Sequence, residues 1–221
     1  MKVTTAYMPD MHTTTAPNAA RPVSTSSGSL RDEIRDATHA EHDDIEHHMD
    51  LMRPELELKV YARLLRKYHA FYDVFERFLR TRAARSSGFA EFYCRDRLKT
   101  SWLVSDLEAL GVRPIAHDDA QLPESLAELF SSEQRLLGAL YVIEGSMLGG
   151  AVLSKQFRRR FDLTPETGLK FFTGYGPDTR EKWLAMLQLL GQFDQDPAAR
   201  RETIEGARSM FQFFKEHLAT A

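Results

Sequence analysis

Residues 140–153 read Leu-Tyr-Val-Ile-Glu-Gly-Ser-Met-Leu-Gly-Gly-Ala-Val-Leu and form the most apolar long segment of the chain, with three glycines inside it. A glycine within a helix costs roughly 0.5–1 kcal/mol relative to alanine, so three cost about 2 kcal/mol or more. Gly145 and Gly149 lie four residues apart and share one helix face. Two interpretations are open: close packing against another helix, or a flat ligand against exposed backbone, with a local bend that opens a pocket. The position of the glycines in the richest apolar stretch favours the ligand.

Helical periodicity extends outward from this segment over almost the whole chain after Ser29. The stripe after Pro54 shows it best, with apolar residues at spacings of three and four: Leu58, Tyr61, Leu65, Tyr68, Tyr72, Phe75 and Leu79. Helices are predicted over about 29–50, 54–82, 89–110, 124–161, 178–193 and 197–218. No stretch alternates with period two, so strands are not expected. The sequence predicts an all-α, single-domain bundle of six or more helices.

Residues 1–28 are rich in Thr, Ser, Ala and Pro and contain no continuous apolar core, so we expect no secretory signal there. Such a segment buries too little apolar area to offset its ordering entropy, which predicts a disordered N-terminal extension before a helical domain over 29–221.

The net charge, the length of the apolar runs and the cysteine count limit the partners and the cellular compartment that we expect. The net charge of -3 gives no reason to expect nucleic acid or an anionic membrane as partner. A continuous run of about 18 apolar residues is lacking, so no membrane span is expected. The single cysteine, Cys94, cannot form an internal disulfide, which favours a reducing, cytoplasmic location.

Four of the eight histidines lie within residues 39–48. On a helical wheel centred on His42, the apolar stripe surrounds this histidine, and Arg35 and Glu46 fall close to the same line. The stripe consists of Ile34, Thr38, Ile45 and Met49. We therefore expect His42 to point into the bundle.

Three interpretations of His42 are open. Taken alone, the pattern favours a core histidine that is hydrogen-bonded to Glu46. The second is an axial metal ligand whose ring is oriented by that carboxylate. The third, a di-iron site, requires an acid-x-x-His unit on each of two helices, whereas Asp36-x-x-His39 and Asp44-x-x-His47 lie on one. A histidine ligand facing a glycine-lined helix would form a sandwich for a planar metal complex.

These residues, in this order, resemble the haem oxygenase family. The resemblance covers about residues 30–218 and rests on four motifs: Ala37-Thr38-x-x-x-His42-x-x-x-Glu46, Tyr68-His69, Gly145-x-x-x-Gly149-Gly150, and Gly168-Leu-Lys-Phe-Phe-Thr173 followed by Pro177. It implies a multi-helix bundle in which haem lies between a proximal helix and a kinked distal helix.

The resemblance also implies residue roles. His42 would be the proximal iron ligand, with Glu46 as its hydrogen-bonding carboxylate, and Arg35 would pair with a haem propionate. Gly145, Gly149 and Gly150 would form the distal helix over the haem, and Tyr68 would belong to the distal water network. Many family members have an aspartate after the first distal glycine, where it holds the water that supplies a proton; this chain has Ser146 instead.

The activity implied is oxidative cleavage of haem to biliverdin with release of CO and iron, haem being both substrate and cofactor. Electrons would come from a separate reductase or ferredoxin. The Glu-Gly-Ser-x-x-Gly-Gly run is similar to bacterial members that supply biliverdin to phytochromes. The missing aspartate motivates an alternative, a haem-binding or haem-sensing protein that does not degrade haem. A more distant alternative is a haem-free member of the fold that acts on another small molecule.

Overall fold

The computed structural model describes residues 28–49, 51–114 and 124–219, and these residues form helices and connections with no strand. The prediction of an all-α fold is therefore confirmed. Apart from Gly28, the predicted N-terminal extension lies outside the described residues. Most of the loop predicted between Pro114 and Pro123 does as well.

Within the part of the chain that the structure describes, ten α-helices make up the bundle, together with one π-helical turn and one 3-10 turn. They are α1 (Leu30–Ala37), α2 (His39–Met49), α3 (Leu58–Ala83), α4 (Gly88–Asp96), α5 (Thr100–Ala109), α6 (Glu124–Leu129), α7 (Glu133–Phe161), α8 (Lys170–Thr173), α9 (Thr179–Gly191) and α10 (Pro197–Ala219), with the π turn over Pro165–Leu169 and the 3-10 turn over Gly176–Asp178.

The helix predicted over 29–50 is divided into α1 and α2 at Thr38. The Thr38 hydroxyl and the Thr38 amide both donate to the carbonyl of Ile34, at 2.8 and 3.0 Å. A threonine side chain that competes for a helix carbonyl in this way bends or ends the helix. The predicted start is confirmed, since Ser29 caps α1 by accepting a hydrogen bond from the Asp32 amide.

The helix predicted over 89–110 is also divided, into α4 and α5, by the segment 97–99. Arg97 and Lys99 both direct their charged groups at the carboxylate of Glu144. Residues two apart point to nearly opposite sides of a helix, so a continuous helix could not make both contacts. Glu76 accepts the backbone N–H groups of Lys99 and Thr100 and thereby caps α5.

The centre of the bundle is α7, which packs against α10 along much of its length. The two helices cross so closely that a Cβ on Gly138 would lie 1.9 Å from the Thr203 carbonyl oxygen, and one on Gly206 would lie 2.0 Å from that of Arg135. Close helix packing through glycine therefore occurs in α7, at a glycine outside the 140–153 stretch.

By length and composition α7 could cross a membrane, but 67% of its apolar window is buried inside the protein. This degree of burial is typical of a core helix. The helix continues through Gly145, Gly149 and Gly150 without ending. The glycines therefore lower the helix propensity of this part of α7 without ending the helix. The bend expected at these glycines stays a prediction.

Candidate functional site

A cavity lies between α2, α3, α7 and α10, with about 580 Å³ of empty space, part of it open to solvent. Five of the residues predicted for the site line it, and the remaining wall is almost entirely apolar. The lining residues are His42, Ile45, Glu46, Met49, Tyr68, Val142, Ile143, Ser146, Gly149, Met210, Phe211 and Phe214. A cavity with this lining, apolar walls and a few polar groups, is typical of a small-molecule or cofactor site.

His42 reaches the cavity from α2, and its side chain is 22% exposed. The edge of its ring packs against Phe211, with the ring centroids 6.1 Å apart. Burial lowers the pKa of His42, although the neighbouring Asp43 carboxylate acts in the opposite direction. The imidazole is therefore neutral near pH 7, which is the form that ligates a metal.

Glu46 lies one turn after His42, with its Oε1 atom 3.6 Å from His42 Nε2. This distance is longer than a hydrogen bond, and Oε1 is buried with no hydrogen-bond partner among the described residues. Burial, together with the charge of Asp43, raises the pKa of Glu46 to about 7. His42, Asp43 and Glu46 also bring one ligand atom each within 4.8 Å of one another, so this face of α2 has the side chains to hold a metal.

Ser146 lines the cavity from α7, and its hydroxyl donates a hydrogen bond to the Ile143 carbonyl at 2.8 Å. A serine hydroxyl has one proton and two lone pairs, so Ser146 remains an acceptor on its cavity side. Burial raises the pKa of Tyr72 well above its ordinary value, while a hydrogen bond with Ser146 lowers it. Tyr72, one turn after the predicted Tyr68, therefore interacts with Ser146. The Tyr68 ring itself lines the cavity.

The three distal glycines occupy different positions. Gly149 lines the cavity, whereas Gly145 and Gly150 are buried without being part of the lining. A Cβ on Gly150 would lie 3.5 Å from the Phe172 carbonyl oxygen, an ordinary contact with another part of the bundle. Only Gly149 among the three therefore exposes backbone to the cavity.

Gly149→Leu is expected to lower haem affinity by roughly 100-fold, equivalent to about 2.8 kcal/mol, because the new side chain would occupy the space beside α7. Helical content should be unchanged, since leucine favours helix more than glycine does. Haem titration and far-UV circular dichroism measure the two quantities. Gly150→Ala is the matched control and should bind haem normally. Normal binding by Gly149→Leu would mean that Gly149 serves helix packing.

Arg35 is not part of the cavity lining. It is exposed on α1, where its guanidinium lies 3.5 Å from Asp32 and 3.1 Å from Asp36. Burial raises the pKa of Tyr141 on α7, and the charges of Arg31 and Arg35 act in the opposite direction. Both arginines therefore lie near the segment of α7 that borders the cavity.

Some lining residues carry no signal in the sequence. Met210, Phe211 and Phe214 close the cavity from α10, yet their spacing is that of any buried helix. Tyr72 belongs to the apolar stripe of α3, and nothing in that stripe distinguishes it from its neighbours.

The fold and the cavity define a class: a helical bundle with an apolar cavity between a histidine-bearing helix and a glycine-bearing helix. The donor set fits haem, since a neutral imidazole is a common axial ligand of haem iron. The buried Oε1 of Glu46 lies 3.6 Å from Nε2 of that imidazole and has no hydrogen-bond partner among the described residues, so the carboxylate is available to support a metal-ligating histidine. The heme oxygenase family model matches residues 28–220. The chain belongs to the haem oxygenase family, whose members are enzymes that degrade haem.

Known proteins agree with this assignment. A heme oxygenase of Xanthomonas campestris pv. campestris (strain 8004) is 33% identical over 167 residues, which cover 74% of this chain and 92% of that protein. The NO- and CO-bound heme oxygenase from Neisseria meningitidis has a similar structure, with a TM-score of 0.67 at 22% identity, over 88% of this chain and 94% of that one. The structure of heme oxygenase from Leptospira interrogans is also similar, with a TM-score of 0.69 at 19% identity. The match covers 88% of this chain and 100% of that one. At these identities the two structures support the fold alone.

Proposed function

We propose that this chain cleaves haem oxidatively to biliverdin with release of CO and iron, and that His42 would bind the haem iron. The observation that carries the proposal is the largely buried imidazole of His42, which lines the same apolar cavity as Ser146 and the bare backbone of Gly149. Haem would be both substrate and cofactor. When bound, it supplies the iron at which oxygen is activated.

The protein's own residues would bind haem, orient the imidazole and exclude bulk water. His42 would bind the haem iron. The Glu46 carboxylate would orient the imidazole through the ring nitrogen that faces this carboxylate. The apolar side chains of α10 would exclude bulk water, and Gly149 would admit the ring close to α7. The Ser146 hydroxyl donates to the Ile143 carbonyl and has two lone pairs, with which it can hold a water molecule that delivers a proton.

Ser146→Ala is expected to bind haem normally through His42 but to turn it over roughly tenfold more slowly, the effect of one lost hydrogen bond worth about 1.4 kcal/mol. Single-turnover kinetics with a chemical reductant measure the rate. Ser146→Asp, which restores the acid common in the family, should keep the wild-type rate or exceed it. If Ser146→Ala has the wild-type rate and product, the Ser146 hydroxyl does not hold a water molecule needed for turnover.

The remaining assignments rest on the resemblance and on charge. Arg35, near Arg31 and Tyr141, would pair with a haem propionate at the edge of α7. A ferredoxin or a reductase would supply the electrons, a biliverdin-accepting phytochrome would take up the product, and the location would be the cytoplasm.

A second candidate function is haem binding without degradation, and Ser146 in place of the usual acid is the observation that favours it. A haem titration followed by addition of a reductant in air separates the two functions. Degradation predicts that the Soret band forms and then disappears as the absorbance of biliverdin rises. A Soret band that persists under electron supply would favour storage or sensing.

A further inference from the structure

A set of charged groups is buried directly behind the cavity. We call Arg97, Lys99, Glu144 and Tyr175 the anchor cluster. The side chains of Arg97, Lys99 and Glu144 are at most 3% exposed. Lys99 Nζ lies 2.8 Å from Glu144 Oε1 and 3.0 Å from the Tyr175 hydroxyl, and Arg97 binds Glu144 Oε2. Tyr175 donates to Glu144 Oε1 at 2.9 Å.

Stability alone is a weak reason for such a cluster. Removing charges from water is costly, and well-packed apolar residues in the place of a buried ion pair are often as stable or more stable. A buried ion pair can instead fix one arrangement of the elements that it joins. This cluster joins the 97–99 segment to α7, and the guanidinium of Arg97 also donates to the Lys182 carbonyl on α9.

The position of the cluster on α7 indicates what it fixes. Glu144 directly precedes Gly145 and Ser146 and points away from the cavity, while Ile143 and Ser146 line it. The next six residues contain three glycines, so this part of α7 has the weakest intrinsic preference for helix. The charge of Glu144 also acts on Tyr72, the phenol that contacts Ser146.

We propose that the anchor cluster is a positioning device: it holds the glycine-weakened part of α7 in place and so sets the position of the Ser146 hydroxyl at the cavity wall. None of its members is part of the cavity lining. The role of Ser146 rests on the function proposed above, but the anchoring of α7 does not.

Hydrogen exchange of the haem-free protein tests the anchoring directly. The variant Lys99→Met/Glu144→Gln removes one charge of each sign, so the net charge is unchanged, and Arg97 keeps its contact with Asp96. We expect amides 145–150 to exchange roughly tenfold faster, because local opening of this segment becomes easier, while amides 136–140 keep their rate. Arg135→Met/Glu202→Gln is the matched control, since it removes an ion pair of 2.8 Å from the same helix at a distant turn. It should leave amides 145–150 unchanged.

A uniform acceleration along α7 in the double variant, or no change at 145–150, would overturn the proposal. Tyr175→Phe keeps the test decisive if the double variant does not fold, because it deletes one hydroxyl from the cluster. It should accelerate the same amides by a smaller factor, and unchanged exchange at 145–150 would again overturn the proposal.

Turnover provides a second readout that loss of structure alone would not give. We expect Lys99→Met/Glu144→Gln to lower kcat for haem degradation roughly tenfold and to leave KM for haem within about twofold, because binding depends on His42 and the apolar walls. Equal losses in kcat and in binding would mean that the whole cavity has changed, and would overturn the positioning role. If haem binds but the wild-type protein does not degrade it, the function proposed above fails, while the exchange result still decides the anchoring.

Discussion

Haem added to the His42→Ala variant is expected to give no native Soret spectrum, and the affinity should fall by more than about 100-fold. Loss of a residue that merely supports a metal ligand already costs 10–100-fold, and His42 is proposed as the ligand itself. The substitution leaves a hole beside Phe211 that is open to the cavity. External imidazole should enter this hole and partly restore the spectrum. Absorbance titration with haem, with and without imidazole, makes the measurement.

His47→Ala is the control for this variant, because His47 lies on the same helix with its side chain exposed. It should bind haem with the wild-type spectrum. An unchanged spectrum in His42→Ala would show that another residue ligates the iron and that the motif around His42 has been misaligned with the family.

The largest effect on stability is expected at the crossing of α7 and α10. In Gly138→Ala the new methyl group would lie 1.9 Å from the Thr203 carbonyl oxygen and 2.7 Å from the Ala207 amide nitrogen. Both atoms belong to the backbone of α10, so the helices themselves must separate. Overpacking of a core costs about 1–3 kcal/mol and occasionally more, and we expect a loss of about 3 kcal/mol or failure to fold. Chemical denaturation monitored by circular dichroism measures the loss.

Gly191→Ala is the matched control, because nothing lies within 4 Å of the corresponding Cβ position at the end of α9. Its stability should equal or slightly exceed that of the wild type, since alanine has the higher helix propensity. If Gly138→Ala were as stable as Gly191→Ala, the two helices could not cross at the distance described.

The sequence predicts the helices well because their apolar stripes follow the helical period. It does not predict the break at Thr38, where the threonine hydroxyl bonds the Ile34 carbonyl. Nor does it predict the break at 97–99, which depends on tertiary contacts. Thr38 could equally have continued the helix, and Arg97 and Lys99 are ordinary residues for an exposed helix face. Their inward orientation follows from the position of Glu144, which lies 45 or more residues away in the chain.

Some residues of the site could be predicted from the sequence and others could not. His42, Glu46 and Ser146 could be found from the helical wheel and from the family motifs, and the structure brings them to one cavity. Tyr72 and the aromatic residues of α10 could not, because they belong to apolar stripes in which no position stands out. Likewise the spacing of the distal glycines does not distinguish Gly149, at the cavity, from Gly150, which faces Phe172.

The central claim is that a haem held by His42 is degraded in this cavity. The most direct test is to measure the CO released and the tetrapyrrole formed, per haem, when the purified complex receives electrons in air with catalase present to remove peroxide. The proposed function predicts one CO and one biliverdin per haem from the wild-type protein, and neither from His42→Ala. Haem recovered intact from the wild-type protein, or equal yields from both proteins, would contradict it.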